Sequence, residues 1–275
     1  MVPLVSTWIF LRGLTREARH WGDFSATFRA AFPDAQIVAL DLPGNGSLHT
    51  MVSPLSVEAM AAYCRAELGS RGIPPPYHLL AMSLGAMVAA AWAAEQPREI
   101  AACVLINTSL RPFSPFYHRL RPENYLALCQ RALLGGDGRE WEELILRLTS
   151  RDPQKHEQVL DSWLAYRREC PVSVGNALRQ LLAASRYRAG AGKPVAPMLI
   201  LASSNDALVN PRCSRRVALH WHAAIVEHPT AGHDLPLDDG PWVAEQVSAW
   251  LQGDYANRRP RVRTGRKKTG TLGRP

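Results

Sequence analysis

Leu79-Leu80-Ala81-Met82-Ser83-Leu84-Gly85-Ala86 joins a short apolar run to a helical pattern, with a single serine at the junction. The run from Tyr77 to Met82 reads as a buried strand, and Leu84 to Glu95 reads as an alanine-rich helix. A serine on so sharp a strand-to-helix turn adopts strained backbone angles and exposes its hydroxyl. The residues two before and two after it must then be small, or the helix cannot pack back on the strand. Ala81 and Gly85 meet that need, Ala81 standing where a glycine is usual. The helix N-terminus adds a positive dipole end beside the hydroxyl. Alone, the pentapeptide is equally readable as a helix N-cap serine after a buried strand, so the flanking sequence has to decide.

Outward from this point, apolar runs alternate with helical patterns. Thr7–Leu11, Gln36–Leu40, Ile100–Asn107, Pro197–Ala202 and Ala224–Glu227 read as further strands, and Ala18–Ala31, Val57–Leu68 (N-cap Ser56) and Trp242–Leu251 as helices. Such alternation predicts an α/β fold, a mostly parallel sheet covered by helices on both faces. One interval breaks it. Residues 110–193 carry helical periodicity and no strand, with candidate helices at Leu120–Leu134, Trp141–Leu148, His156–Arg168 and Val174–Ser185. The expected organisation is a core made of 1–109 and 194–252, a helical lid inserted at 110–193, and a basic tail at 253–275. The tail holds eight Lys/Arg against one acid, so most of the formal charge of +8 belongs to it. It is expected to be a solvated, disordered extension, with a nucleic-acid or membrane contact as the alternative.

Hydrophobic residues at 47% and charged residues at 20% are ordinary for a globular chain and argue against wholesale disorder. The five cysteines (Cys64, Cys103, Cys129, Cys170, Cys213) are odd in number and form no CxxC, which suggests free thiols in a reducing compartment. The apolar stretch Val2–Leu11 lacks a basic flank and is interrupted by Pro3, Ser6 and Thr7, so it does not read as a secretory signal. No apolar run reaches membrane-spanning length. A cytoplasmic location is expected.

Four more segments stand at strand ends. Phe10-Leu11-Arg12-Gly13-Leu14 follows the first strand, and Asp41-Leu42-Pro43-Gly44-Asn45-Gly46 the second. Ala202-Ser203-Ser204-Asn205-Asp206-Ala207-Leu208-Val209-Asn210-Pro211 and Ala231-Gly232-His233-Asp234-Leu235-Pro236 follow the last two. With these, residues 7 to 252 resemble the α/β-hydrolase-fold family, of the small lidded carboxylesterase kind similar to the pimeloyl-carrier-protein methyl ester esterases. The resemblance implies a nucleophile at Ser83, an acid at Asp206 and a base at His233, in the Ser, Asp, His order of that fold. It implies an oxyanion hole from the backbone N–H groups of Leu14 and Leu84. Arg12 replaces the family's usual histidine, a change that backbone donors should tolerate. The Asp41 turn is a fold signature without assigned chemistry. Many relatives begin with an antiparallel hairpin, so the sheet here should be about two strands short.

The reaction implied is acyl transfer to water through an acyl-enzyme, with no metal or cofactor. The substrate is expected to be a small-molecule acyl ester or thioester, with an acyl carrier protein or CoA ester as candidate partner. Lid aromatics (Phe113, Phe116, Tyr117, Tyr125, Trp141, Trp163, Tyr166) suit an acyl pocket or the lid's own packing. Arg111, Arg119 and Arg121 suit an acidic partner or a solvated face. Two other readings stand beside this one: a lyase on the same fold, with Arg12, Arg16 and Arg19 meeting a polyanionic substrate, and a non-catalytic binding protein.

Overall fold

The structure, a computed structural model, describes residues 6–134 and 138–258. All six apolar runs are strands: β1 Thr7–Leu11, β2 Gln36–Leu40, β3 Tyr77–Met82, β4 Ile100–Ile106, β5 Met198–Ser203 and β6 Ala224–His228. They form one parallel sheet in the order β2-β1-β3-β4-β5-β6. β2 and β6 are the edges, and each is exposed at its first residue and buried only at its last. β1 and β5 are buried throughout.

The helices are α1 Phe24–Ala31, α2 Val57–Ser70, α3 Leu84–Glu95, α4 Phe116–Arg119, α5 Tyr125–Leu134, α6 Gly138–Thr149, α7 Pro153–Glu169, α8 Val174–Arg186, α9 Arg212–Trp221, α10 Leu235–Asp238 and α11 Gly240–Arg258. Strand residues alternate between two cores. Ile9, Leu11, Leu79, Ala81, Cys103 and Leu105 face α2, α3 and α9. Trp8, Phe10, Leu80, Met82 and Val104 face Phe24 and Phe28 of α1 and Val243, Val247 and Trp250 of α11. Burying both faces is what makes these strands continuous apolar runs.

Three local readings need correction. The helix expected over Ala18–Ala31 is a 3-10 turn, Ala18–Trp21, followed by α1, because Gly22 takes a positive φ of 49° between them. The helix expected from Leu120 begins only at Tyr125; Pro122 opens a separate 3-10 turn, Pro122–Asn124, as proline does at a first helical position. The last helix runs on to Arg258, past the boundary expected at 252. The basic residues from 259 onward lie outside the described residues.

The interval without strands is filled by α4 to α8, closed at its base by an isolated bridge between Arg111 and Arg188. Strand order reverses between β1 and β3, since β2 lies on one side of β1 and β3, β4, β5 and β6 on the other. In open parallel sheets the crevice beyond the C-terminal ends of the strands at such a reversal is where ligands bind. The loops that leave β1 and β3 there begin with Arg12 and Ser83. No helix among the described residues is long and apolar enough to cross a membrane.

Candidate functional site

Ser83 has φ 55° and ψ −115°, a left-handed conformation that L-residues avoid. It is held there from both sides: its N–H donates to the Ile106 carbonyl at 3.0 Å, and its carbonyl accepts from the Ala86 N–H at 3.1 Å. Gly85 is required by close approach, because a Cβ there would lie 2.4 Å from the Leu11 carbonyl oxygen and 2.6 Å from that of Arg12. The first and third strands can therefore bring their ends together only over a glycine. Gly13 lies against the serine, within 3.7 Å of Oγ for any Cβ it might carry. Leu14 thus follows the glycine that touches the serine, and Leu84 opens α3 directly after it. Neither of their N–H groups makes a hydrogen bond among the described residues, whereas the N–H groups of Thr15, Arg16, Ala86 and Met87 all do.

His233 and Asp206 are both buried, and the His233 Nδ1 lies 2.7 Å from Asp206 Oδ2. The other carboxylate oxygen, Oδ1, accepts from the Leu208 and Val209 N–H groups, both at 2.8 Å. Three donors thus hold the carboxylate still and leave Nε2 as the imidazole nitrogen open to a reacting hydroxyl. No hydrogen bond joins Ser83 Oγ to His233 among the described residues; such bonds commonly tighten only with substrate in place.

Buried polar struts that sequence patterns did not reveal surround these groups. Asn107, at the end of β4 with φ 46°, donates through Nδ2 to the His233 carbonyl at 2.8 Å and accepts through Oδ1 from the Ser203 N–H at 2.8 Å. Arg12 binds Asp234 through both terminal guanidinium nitrogens, Nη2 at 2.5 Å and Nη1 at 3.1 Å, and stacks over Trp21. The residue after Leu11 is so tied to the residue after His233. Gln180 on α8 accepts from the Thr15 N–H at 2.9 Å and donates to Asn45 Oδ1 at 2.7 Å, while Asn45 donates to the Arg16 carbonyl at 3.1 Å. Thr15 itself sits at φ 57°. A local signal for Asp234 was its place beside His233; Gln180 had none.

The cationic groups expected to meet a polyanion are engaged by the protein's own acids. Arg12 pairs with Asp234, Arg16 with Glu142 at 2.7 Å, and Arg19 with Glu17 and Glu169. Arg111 and Arg119 donate to the last carbonyls of α8, at Ser185 and Ala184, where the helix dipole favours a cation, and Arg121 donates to the Asp206 carbonyl. Of the aromatics, Phe113 packs on Trp221, while Trp163 and Tyr166 are covered by Arg16 and Arg19. Asp41 accepts from the Ala18 and Ser47 N–H groups, a turn-building role. All five cysteines are free; burial pushes the Cys64 thiol up to about 12 and Cys213 up to about 11. Among the described residues no cluster of His, Cys, Asp or Glu is placed to hold a metal ion.

Residues 8–246 match the sequence profile of the alpha/beta hydrolase family. The chain belongs to that family. No curated protein sequence matches it. Its fold is shared with several solved hydrolases of low identity. A thermophilic esterase from Thermogutta terrifontis has 20% identity and a TM-score of 0.68, with 90% of each chain covered. The enol-lactonase of Burkholderia xenovorans LB400 has 18% identity and a TM-score of 0.71, covering 90% of this chain and 92% of that one. An alpha/beta hydrolase fold protein from Chitinophaga pinensis has 18% identity and a TM-score of 0.68, covering 91% of this chain and 90% of that one. At these identities the likeness concerns the fold.

Proposed function

We propose that this alpha/beta hydrolase is a serine hydrolase that cleaves carboxylic esters or thioesters. His233 takes the proton of the Ser83 hydroxyl as Oγ attacks the acyl carbonyl. The oxyanion is held by the N–H groups of Leu14 and Leu84, and the proton passes from His233 to the leaving alkoxide or thiolate. A water deprotonated by His233 then releases the acid. Asp206 fixes the imidazole with its proton on Nδ1 and stabilises the imidazolium.

The observation that carries this reading is the pairing of a buried His233–Asp206 contact of 2.7 Å with a strained serine at the sheet's reversal point. The two unpaired N–H groups beside that serine support the oxyanion role. The arginines near the first loop favour this reading over the lyase, since their charge is already compensated. The helices α4 to α8 are proposed as the lid, with the acyl group accommodated beneath it and the natural ester left to experiment. The test is hydrolysis of p-nitrophenyl esters from acetate to decanoate by wild type and Ser83→Ala. The expected result is a loss of about 10³-fold or more in kcat with the alanine variant, near the residual rate that binding and the oxyanion hole alone sustain. A folded Ser83→Ala protein that kept wild-type turnover would remove the serine from the mechanism.

A further inference from the structure

Helix α8 is turned inside out. Its buried side chains are Asn176, Gln180, Ala183 and Ala184, and the two polar ones are spent on hydrogen bonds to the 45–53 loop and to Thr15. Its large apolar side chains face solvent: Val174 at 73% and Leu178 at 60% exposure, with Leu181 and Leu182 beside them. The spacing of 174, 178, 181 and 182 puts all four on one stripe. Against α8 lies the loop that carries exposed Met51, Val52 and Leu55. The two segments are fastened together, with Asn176 Nδ2 on the Met51 carbonyl at 2.9 Å and Arg179 Nε on the Ser53 carbonyl. Seven exposed aliphatic or thioether side chains are thus carried by two segments fastened to each other, more than scattered surface apolar residues.

The charges carried by these two segments have a single sign. Residues 49–56 and 170–193 contain Arg179, Arg186, Arg188 and Lys193 and no acid. Arg186 and Arg188 are exposed and make no ion pair among the described residues. A second copy of this chain laid on the same face would oppose Arg186 and Arg188 to their own kind, with Glu58 and Glu95 near Tyr187 as the acids at hand. The apolar set also lacks the tryptophan and tyrosine that anchor most protein interfaces. Aliphatic side chains beside unpaired arginines are what an interfacial helix offers to acyl chains below and anionic headgroups above.

We infer that α8 and the 51–55 loop form a docking surface for an anionic lipid bilayer. The inference does not depend on the ester being identified. It is tested with the full chain and vesicles of phosphatidylcholine alone or mixed with phosphatidylglycerol, comparing wild type with a Val174→Ser/Leu178→Gln/Leu181→Gln variant. These positions are exposed and lie outside the candidate site, so hydrolysis of a short soluble ester stays at its wild-type value. Wild type is expected to co-sediment with the anionic vesicles, and the variant to bind at least about tenfold more weakly. Arg186→Glu/Arg188→Glu should weaken binding to the anionic vesicles as well. Equal binding of the triple variant and wild type would assign the attachment to the basic tail and overturn the inference. So would failure of wild type to bind either vesicle, which would leave an acidic protein as the partner. Light scattering that showed a wild-type dimer dissolved by the triple variant would also overturn it, in favour of a second copy.

Discussion

Asn107 shows how one side chain can set the position of the proposed base, His233, without entering the proposed chemistry. Its amide bridges the His233 carbonyl and the Ser203 N–H, and both partners are buried. Its φ of 46° is a conformation asparagine tolerates and alanine resists. Asn107→Ala leaves a buried donor and acceptor unpaired and adds backbone strain, a loss of about 3 kcal/mol against urea. Asn107→Gly removes the strain alone and should recover about 1 kcal/mol of it. Both variants should lower kcat more than they raise KM, because the His233 backbone loses its tether. An unchanged kcat in either would confine Asn107 to stability. Arg12 and Asp234 form a second strut of this kind. Breaking one partner of such a buried pair typically costs about 3–5 kcal/mol, far more than the intact pair contributes.

At the scale of elements, α8 joins the intervening helices to the first loop through Gln180. Replacing it with leucine strands the Thr15 N–H next to Leu14, and loosening this proposed oxyanion donor should cost about tenfold in kcat or more. Gln180→Glu keeps an acceptor for Thr15 but loses the donor to Asn45. It should therefore recover much of the rate while remaining less stable than wild type. If both variants lost rate in proportion to stability, Gln180 would be only a packing residue.

The sequence made some of these elements readable and hid others, for physical reasons. The six strands were legible because both their faces are buried, so each is a short apolar run. Ser56 was legible as a cap and does accept from the Ala59 N–H. Ser83, Asp206 and His233 were marked by turns that follow strands. The struts were not legible, because Arg12 and Asp234 lie 222 residues apart and Thr15 and Gln180 lie 165 apart. No local period records such a pairing. Periodicity also located α8 but not its facing: a stripe of valine and leucine normally marks the buried side, and here two satisfied amides take that side instead.

Across the whole molecule, the contact between the first loop and α7 is built of stacked cations and rings around one histidine. Arg16 lies over Trp163 at 4.5 Å, Arg19 over Tyr166 at 4.3 Å, and His20 meets both rings edge-on. The His20 Nδ1 faces the Glu17 N–H and its Nε2 faces Arg16, each at 3.2 Å, so both neighbours are donors. The neutral ring has one lone pair to offer them, and the imidazolium has none. Burial first, and then the charges of Arg16 and Arg12, hold this imidazole well below the usual histidine range. Burial lowers His78 and His118 in the same direction. The unfolded chain therefore binds protons that the folded chain refuses. Stability should be complete above about pH 6.5 and fall on acidification, by about 1.4 kcal/mol per pH unit for the deeply buried His20 down to its folded value, and by less for the more exposed His118. Asp238 acts oppositely, since burial raises its carboxyl: its effect sets in as pH rises past the ordinary aspartate value, whereas the histidine effect sets in as pH falls past about 6.5. Urea unfolding of wild type and His20→Gln between pH 5 and 7.5 separates the contributions. The glutamine variant, with nothing to titrate at this position, should show a slope shallower by about one proton. Parallel slopes would mean that His20 is protonated in the folded protein, and that Glu142, already paired with Arg16 and Arg167, must also accommodate an imidazolium.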